Sequence, residues 1–212
     1  MNKYLILTFC FILVSCKNST ETNVLPTPKS VIMPLAINNE WAYIDIFGGG
    51  GPISFTNTDT IKFISTFVFG ADTVYVNPVE TYYTNRSDGL WTETYGSPNQ
   101  TLIAKYPAQP GDIFGHDSFT ITVPSDPIPN DTLSAQIVVD SINALVTVPA
   151  GNYTCYRYRA DYYGTKHILV YRQNAYYSVN TGMIKRESFW LDSASQQLKL
   201  NESYQLTKAI LH

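Results

Sequence analysis

From Glu40 onward, apolar and polar positions alternate in a way that predicts strands. Trp41, Tyr43 and Asp45 share one parity and Ala42, Ile44 and Ile46 the other, giving a first strand that should stop at the glycines of 48–51 and Pro52. Ile61, Phe63, Phe67 and Phe69 then share a parity opposite to Lys62 and Thr66, which predicts one apolar face and one wetter face. More strands are expected over 73–76, 79–84, 90–95, 101–106 and 118–123, with turns at 85–89 and 124–130. The second half repeats the signal at 134–140, 144–148, 153–162, 166–172, 175–179, 183–190 and 198–206. Within 153–162, Thr154, Tyr156, Tyr158, Ala160 and Tyr162 fall on one side and Arg157, Arg159 and Asp161 on the other, with Cys155 on the charged parity. No stretch carries a helical stripe, and 193–197 reads as a turn. Roughly a dozen evenly spaced strands predict an all-β fold, a curved antiparallel sheet forming an open half-barrel or a sandwich.

The chain's start breaks this pattern. A basic opening at Lys3 precedes the apolar run 4–14 and then Ser15-Cys16, the layout of an export signal. The run is too short for a permanent span, which needs about 20 apolar residues. Leu13-Val14-Ser15-Cys16 resembles the lipobox of bacterial lipoproteins, and that resemblance implies cleavage before Cys16 and acyl chains on it. The expected organisation is a lipoprotein signal peptide over 1–15, a lipidated Cys16 with a flexible tether over 16–38, and a β-rich domain over 39–212. Pro26, Pro28 and Pro34 sit in an aperiodic stretch, which motivates the tether. The implied location is the outer membrane. Lys17 matches the start of a surface-display signal while Asn18 and Ser19 depart from it, so periplasmic side and cell surface both stay open.

Composition narrows the partners. Cleavage leaves 197 residues with 13 basic and 17 acidic side chains, a balance of −4 that argues against nucleic acid. With Cys10 removed and Cys16 acylated, Cys155 is the remaining thiol; no internal disulfide can form, and a buried, inert cysteine is expected. Aromatic residues make up 14 % of the chain and charged residues 15 %, so tyrosine-rich sheet faces are expected, either filling a core or offering a carbohydrate-binding surface.

A second resemblance covers most of 39–206. The run Val146-Thr147-Val148-Pro149-Ala150-Gly151-Asn152-Tyr153-Thr154-Cys155-Tyr156 resembles the V-x-V-P-A-G-x-[FY] signature of uncharacterised Gram-negative envelope lipoproteins. Tyr176-Tyr177-Ser178-Val179-Asn180-Thr181-Gly182-Met183-Ile184-Lys185 is similar to their later strand-turn-strand, and Asn39-Glu40-Trp41-Ala42-Tyr43 and Tyr106-Pro107-Ala108-Gln109-Pro110-Gly111-Asp112 to two earlier elements. The resemblance implies a half-barrel distantly like periplasmic lipoprotein carriers. Pro149 lacks a ladder donor, and Gly151 and Gly182 tolerate positive φ, so all three read as turn residues rather than catalytic ones.

No catalytic constellation emerges. His116, His167 and His212 are scattered, His116-Asp117 are strand neighbours that face opposite ways, and no metal-ligand spacing or nucleophile elbow is present. No catalytic residue, metal or cofactor is therefore assigned. Asp126 and Asp131 flank a proline-rich turn where aspartate bonds to local backbone. Three functions stay open: a non-enzymatic accessory or assembly component of the envelope, a half-barrel binding a lipid or other apolar ligand, and a glycan-directed hydrolase. The expected contacts are the membrane through Cys16 and an envelope protein, lipid or glycan, with Tyr156, Tyr158 and Tyr162 as the aromatic face for any ligand.

Overall fold

A computed structural model describes residues 30–48, 55–94, 100–121, 131–164, 167–192 and 194–212; the signal segment, Cys16, the glycines 49–51 and Asp126 lie outside these. Its larger sheet contains β1 (Glu40–Phe47), β2 (Phe55–Lys62), β8 (Ile113–Ile121), β9 (Asp131–Val148), β10 (Gly151–Tyr163), β11 (Leu169–Ser178), β12 (Gly182–Asp192) and β13 (Gln197–Ile210). Its smaller sheet contains β3 (Ser65–Phe69), β4 (Asp72–Val76), β5 (Thr81–Arg86), β6 (Gly89–Thr94) and β7 (Thr101–Lys105). The strand orders are β2-β1-β13-β12-β11-β10-β9-β8 and β3-β4-β5-β6-β7, antiparallel throughout and closed in neither case. The fold is all-β and open, as the alternation predicts.

Registers define two ends of the larger sheet. Glu40 opposes Ile210 and Ser178 opposes Gly182 at one end, and Phe47 opposes Phe55 and Asp192 opposes Gln197 at the other. The smaller sheet packs against the larger one through Tyr75, Tyr83, Leu90 and Ala104, which with Phe63 from the link between β2 and β3 join Trp41, Tyr43, Tyr158, Ile184 and Leu206 in the main core. Leu133, Ala135, Ala160 and Tyr162 form a second cluster with Phe119, Tyr171 and Trp190.

Several sequence expectations shift. Ile61 and Phe63 do not continue into the strand of Phe67 and Phe69, because the chain turns after Lys62. Phe63 is wholly buried, whereas Phe67 and Phe69 are exposed. The paired segments 134–140 and 144–148 belong to one long strand, β9, as do 166–172 and 175–179 largely to β11. The buried parity changes along β9, from Leu133, Ala135 and Val139 to Val146 and Val148, across register shifts opposite Arg157. In β10 it changes from Cys155 to Tyr158, Ala160 and Tyr162. A slip of one residue in pairing exchanges the faces, so Cys155 is fully buried despite its charged parity.

The folded region also starts earlier than the expected tether boundary at 38. Ile32 and Met33 are buried, Val31 N donates to Asn180 Oδ1 at 3.2 Å and Asn180 N donates to Val31 O at 2.8 Å. Asn85 Nδ2 donates to Met33 O at 2.8 Å, which fixes this extended segment against the smaller sheet. Two large apolar side chains between small and proline residues can be buried without any periodic pattern, so alternation could not reveal them.

Candidate functional site

The smaller sheet leaves part of the larger sheet's inner face uncovered, forming a groove of about 970 Å³. Tyr158, Tyr162, Tyr177 and Tyr204 line it from β10, β11 and β13, and Tyr83 and Trp91 from β5 and β6. Asp45 on β1, Asp59 on β2 and Arg186 on β12 also line it, brought together because β1 and β13 return between β2 and β12. The groove is aromatic over part of its length, with Asp117 on its β8 side and a denser acidic place where Asp45 and Asp59 meet.

That acidic place has a defined wiring. Arg186 Nη2 donates to Glu202 Oε1 at 2.5 Å, and its guanidinium lies 5.1 Å from the centroid of Tyr204. Tyr204 stacks on Tyr43 at 4.4 Å and donates its hydroxyl to Asp59 Oδ2 at 2.7 Å. Asp45 stands opposite Tyr204 in the ladder, and its Oδ1 is buried with no hydrogen-bond partner among the described residues. Burial raises the Asp45 carboxyl above its usual range; Glu202 adds to this and Arg186 opposes it. Burial works against the charge of Arg186, but the Glu202 hydrogen bond and the nearby carboxylates outweigh it and hold that guanidinium more firmly protonated.

Most tyrosine hydroxyls around the groove are already engaged. Tyr158 donates to Lys105 O at 2.7 Å, Tyr162 to Asp117 Oδ2 at 2.6 Å and Tyr43 to Met183 O at 3.0 Å. Burial pushes Tyr158 and Tyr162 well above the ordinary phenol range and Tyr83 up to about 12, so these rings stay neutral and act as apolar surface. Of the three tyrosines singled out from the sequence, Tyr158 and Tyr162 reach the groove wall with 2 % and 3 % exposure. Tyr156 is not among the lining residues; its ring meets Tyr106 at 5.5 Å. The charged side of β10 forms a separate ladder outside the groove, where Arg159 bridges to Asp140 at 2.7 Å and Arg172 to Asp161 at 2.5 Å.

Pro149 and Gly151 flank the β9–β10 turn, where Gly151 has φ +135° and Ala150 N donates to Leu206 O at 3.1 Å. Gly182 has φ +101° in the β11–β12 turn. His116 lines the groove at β8, and Asp117 beside it takes the Tyr162 hydroxyl. No group of three His, Cys, Asp or Glu side chains among the described residues is arranged to hold a metal ion.

Cys155 lies in the main core rather than at the groove. Burial pushes its thiol up to about 12, so little thiolate forms at ordinary pH. The folded protein should resist alkylation by iodoacetamide at pH 8 and react after unfolding in guanidinium, as followed by intact mass. Rapid labelling of the native protein would refute the buried placement.

No protein-family model and no curated protein matches the sequence. Among solved structures, the chain is similar to a "putative exported protein with YmcC-like fold" from Bacteroides fragilis, with TM-score 0.51 and 12 % identity over 86 % of this chain and all of that one. It also aligns with a "putative lipoprotein" from Parabacteroides distasonis, with TM-score 0.48 and 10 % identity over 85 % of this chain and 99 % of that one. The first likeness shows a shared fold.

Proposed function

We propose that this protein is an outer-membrane lipoprotein whose groove binds a polyhydroxylated, glycan-like ligand without catalysing its breakdown. The observation that carries the reading is the unpartnered acceptor Asp45 Oδ1 in a groove whose wall mixes aromatic rings with hydrogen-bonding side chains such as Asn57, Thr60, His116 and Gln173. A sugar offers both halves of the match: C–H faces for the half-buried rings of Tyr83 and Trp91 and hydroxyl donors for the carboxylate. An acyl chain does not, since it would cover Asp45, Asp59 and Arg186, and burying polar groups without new partners costs about 1–3 kcal/mol each. Support for the envelope location comes from the signal and lipobox at Cys16, and the fold shared with an exported protein agrees with it.

Hydrolysis fits less well. A glycosidase needs two available carboxyl groups flanking the bond that breaks. Of the carboxylates lining the groove, Asp59 accepts from Tyr204 and Thr60 N and Asp117 from Tyr162 and Ser118 N, while Asp45 keeps an oxygen with no partner among the described residues.

Asp45→Asn separates these roles. Because the carboxyl of Asp45 is raised in the folded state, its charged form is unfavourable there; the penalty is absent below the unfolded value and full above the folded one. The variant should therefore melt at a higher temperature than wild type at pH 7, with the difference shrinking as pH falls through the carboxylate range. Titration calorimetry with neutral linear oligosaccharides should show binding weakened about tenfold, the loss of one well-placed hydrogen bond to a charged group. A variant that melts lower and binds unchanged would make Asp45 structural. Wild-type protein that ignores every oligosaccharide, yet carries acyl chains beyond its own anchor when isolated from membranes, would favour the apolar-ligand reading.

A further inference from the structure

The edge strand β3 departs from the rest of the surface. All of its residues are exposed: Phe67 at 43 %, Val68 at 74 % and Phe69 at 65 %, with Ser65 and Thr66 as the only polar members. Phe67 and Phe69 share the outer parity of the smaller sheet, where the Phe67 ring meets Tyr82 at 5.6 Å, and Val68 projects the other way. The hairpin continues through Gly70 and Ala71, so 65–71 carries no charge. Edge strands of soluble proteins are usually guarded by a lysine, a proline or a bulge; this one has none.

The position of the hairpin suggests what meets it. Phe69 pairs across the hairpin with Asp72, and Asp72 bridges to Arg86 at 2.8 Å. Asp72 and Arg86 line a crevice of about 430 Å³ together with Ser30, the first described residue, and Val31. Val31 is held by both hydrogen bonds to Asn180. The chain thus enters the fold at a fixed point beside the β3–β4 hairpin. From Ser30 back to Cys16 the chain can reach at most about 50 Å when fully extended.

We infer that the β3–β4 hairpin is a second membrane contact, with Phe67, Val68 and Phe69 seated in the interfacial layer of the leaflet that holds the acyl chains. The inference rests on the lipid-anchor reading of Cys16. An uncharged aromatic strand matches the apolar face that interfacial elements bury, and the Asp72–Arg86 pair removes the nearest net charge that would resist it. Contact at this site orients the domain on the bilayer, with the opposite end of the larger sheet, around Leu200, facing water.

The test uses the full acylated chain in phosphatidylethanolamine–phosphatidylglycerol vesicles, with one nitroxide at Val68→Cys or at Leu200→Cys. Leu200 is a fair control because it is apolar and 43 % exposed. Flotation reads the anchor and collision spectroscopy reads the hairpin. The label at 68 should meet oxygen several-fold more readily than a water-soluble nickel chelate, and the label at 200 the reverse. A chain that fails to float removes the anchor and the inference with it. A floating chain whose label at 68 behaves as the one at 200 overturns the hairpin contact alone. Spin–spin broadening between labels at 68 in a floating chain overturns it in favour of edge pairing between two copies.

Discussion

Gly182→Val is expected to lower the free energy of unfolding by about 2–6 kcal/mol, combining about 1–3 kcal/mol of backbone strain with about 1–3 kcal/mol of overpacking. The glycine has φ +101°, and a Cβ there would lie 2.9 Å from Met33 Cγ and 3.3 Å from Trp41 Nε1. Neither neighbour can retreat easily. Trp41 is fully buried and its indole donates to Thr181 O at 2.6 Å, while Met33 is pinned in the segment that Asn180 and Asn85 hold. Gly151 provides the comparison. Its φ of +135° is also unfavourable for valine, but a Cβ would meet nothing closer than Tyr153 Cε2 at 3.9 Å. Gly151→Val should therefore cost strain alone, about 1–3 kcal/mol. Urea unfolding followed by tyrosine and tryptophan fluorescence ranks the two. Equal losses would mean that close packing of Met33 and Trp41 is not what position 182 serves.

The contrast between those glycines shows where the sequence stops being informative. Alternation makes the strands legible because side chains in a strand face opposite sides with period two. It says nothing about a chain that packs without a period, so Ile32 and Met33 are invisible until Gly182 and Trp41 are seen around them. Alternation also fails wherever pairing slips. The register shifts opposite Arg157 exchange inside and outside along β9 and β10, which is why Cys155 is buried, as expected of a lone thiol, although it shares the parity of the charged residues.

The groove is hidden for a related reason. Asp45, Asp59, Arg186 and Tyr204 lie on four strands, and only the antiparallel return of β13 between β1 and β12 makes them neighbours. Each has an ordinary local context: Asp45 is one more polar position in an alternating strand. The one hint is that Asp45 shares the parity of Trp41 and Tyr43, where a third apolar residue would be expected. A charge at an inward position is the kind of local inconsistency that functional sites produce. Three tyrosines on one parity define a face in the sequence, but parity could not say that Tyr158 and Tyr162 would be buried at the groove wall while Tyr156 meets Tyr106.

Cys16→Ala is expected to move the protein from the membrane pellet to the soluble fraction while leaving the β fold intact. Each buried methylene of an acyl chain contributes about 0.8 kcal/mol, so several chains hold a protein on the bilayer for practical purposes. The exposed hairpin cannot substitute. Full burial of side chains such as Val68 and Phe69 is worth about 1.5–3 kcal/mol each, which gives weak, reversible partitioning. Stability should not change, because Cys16 opens the aperiodic, proline-containing stretch whose sequence reads as a tether. Fractionation after a high-salt wash checks the first half, and urea unfolding of the released protein checks the second. If the alanine variant still pelleted, an anchor other than Cys16 would be required. If it were released but unfolded at lower urea, the segment around Cys16 would be part of the fold rather than its attachment.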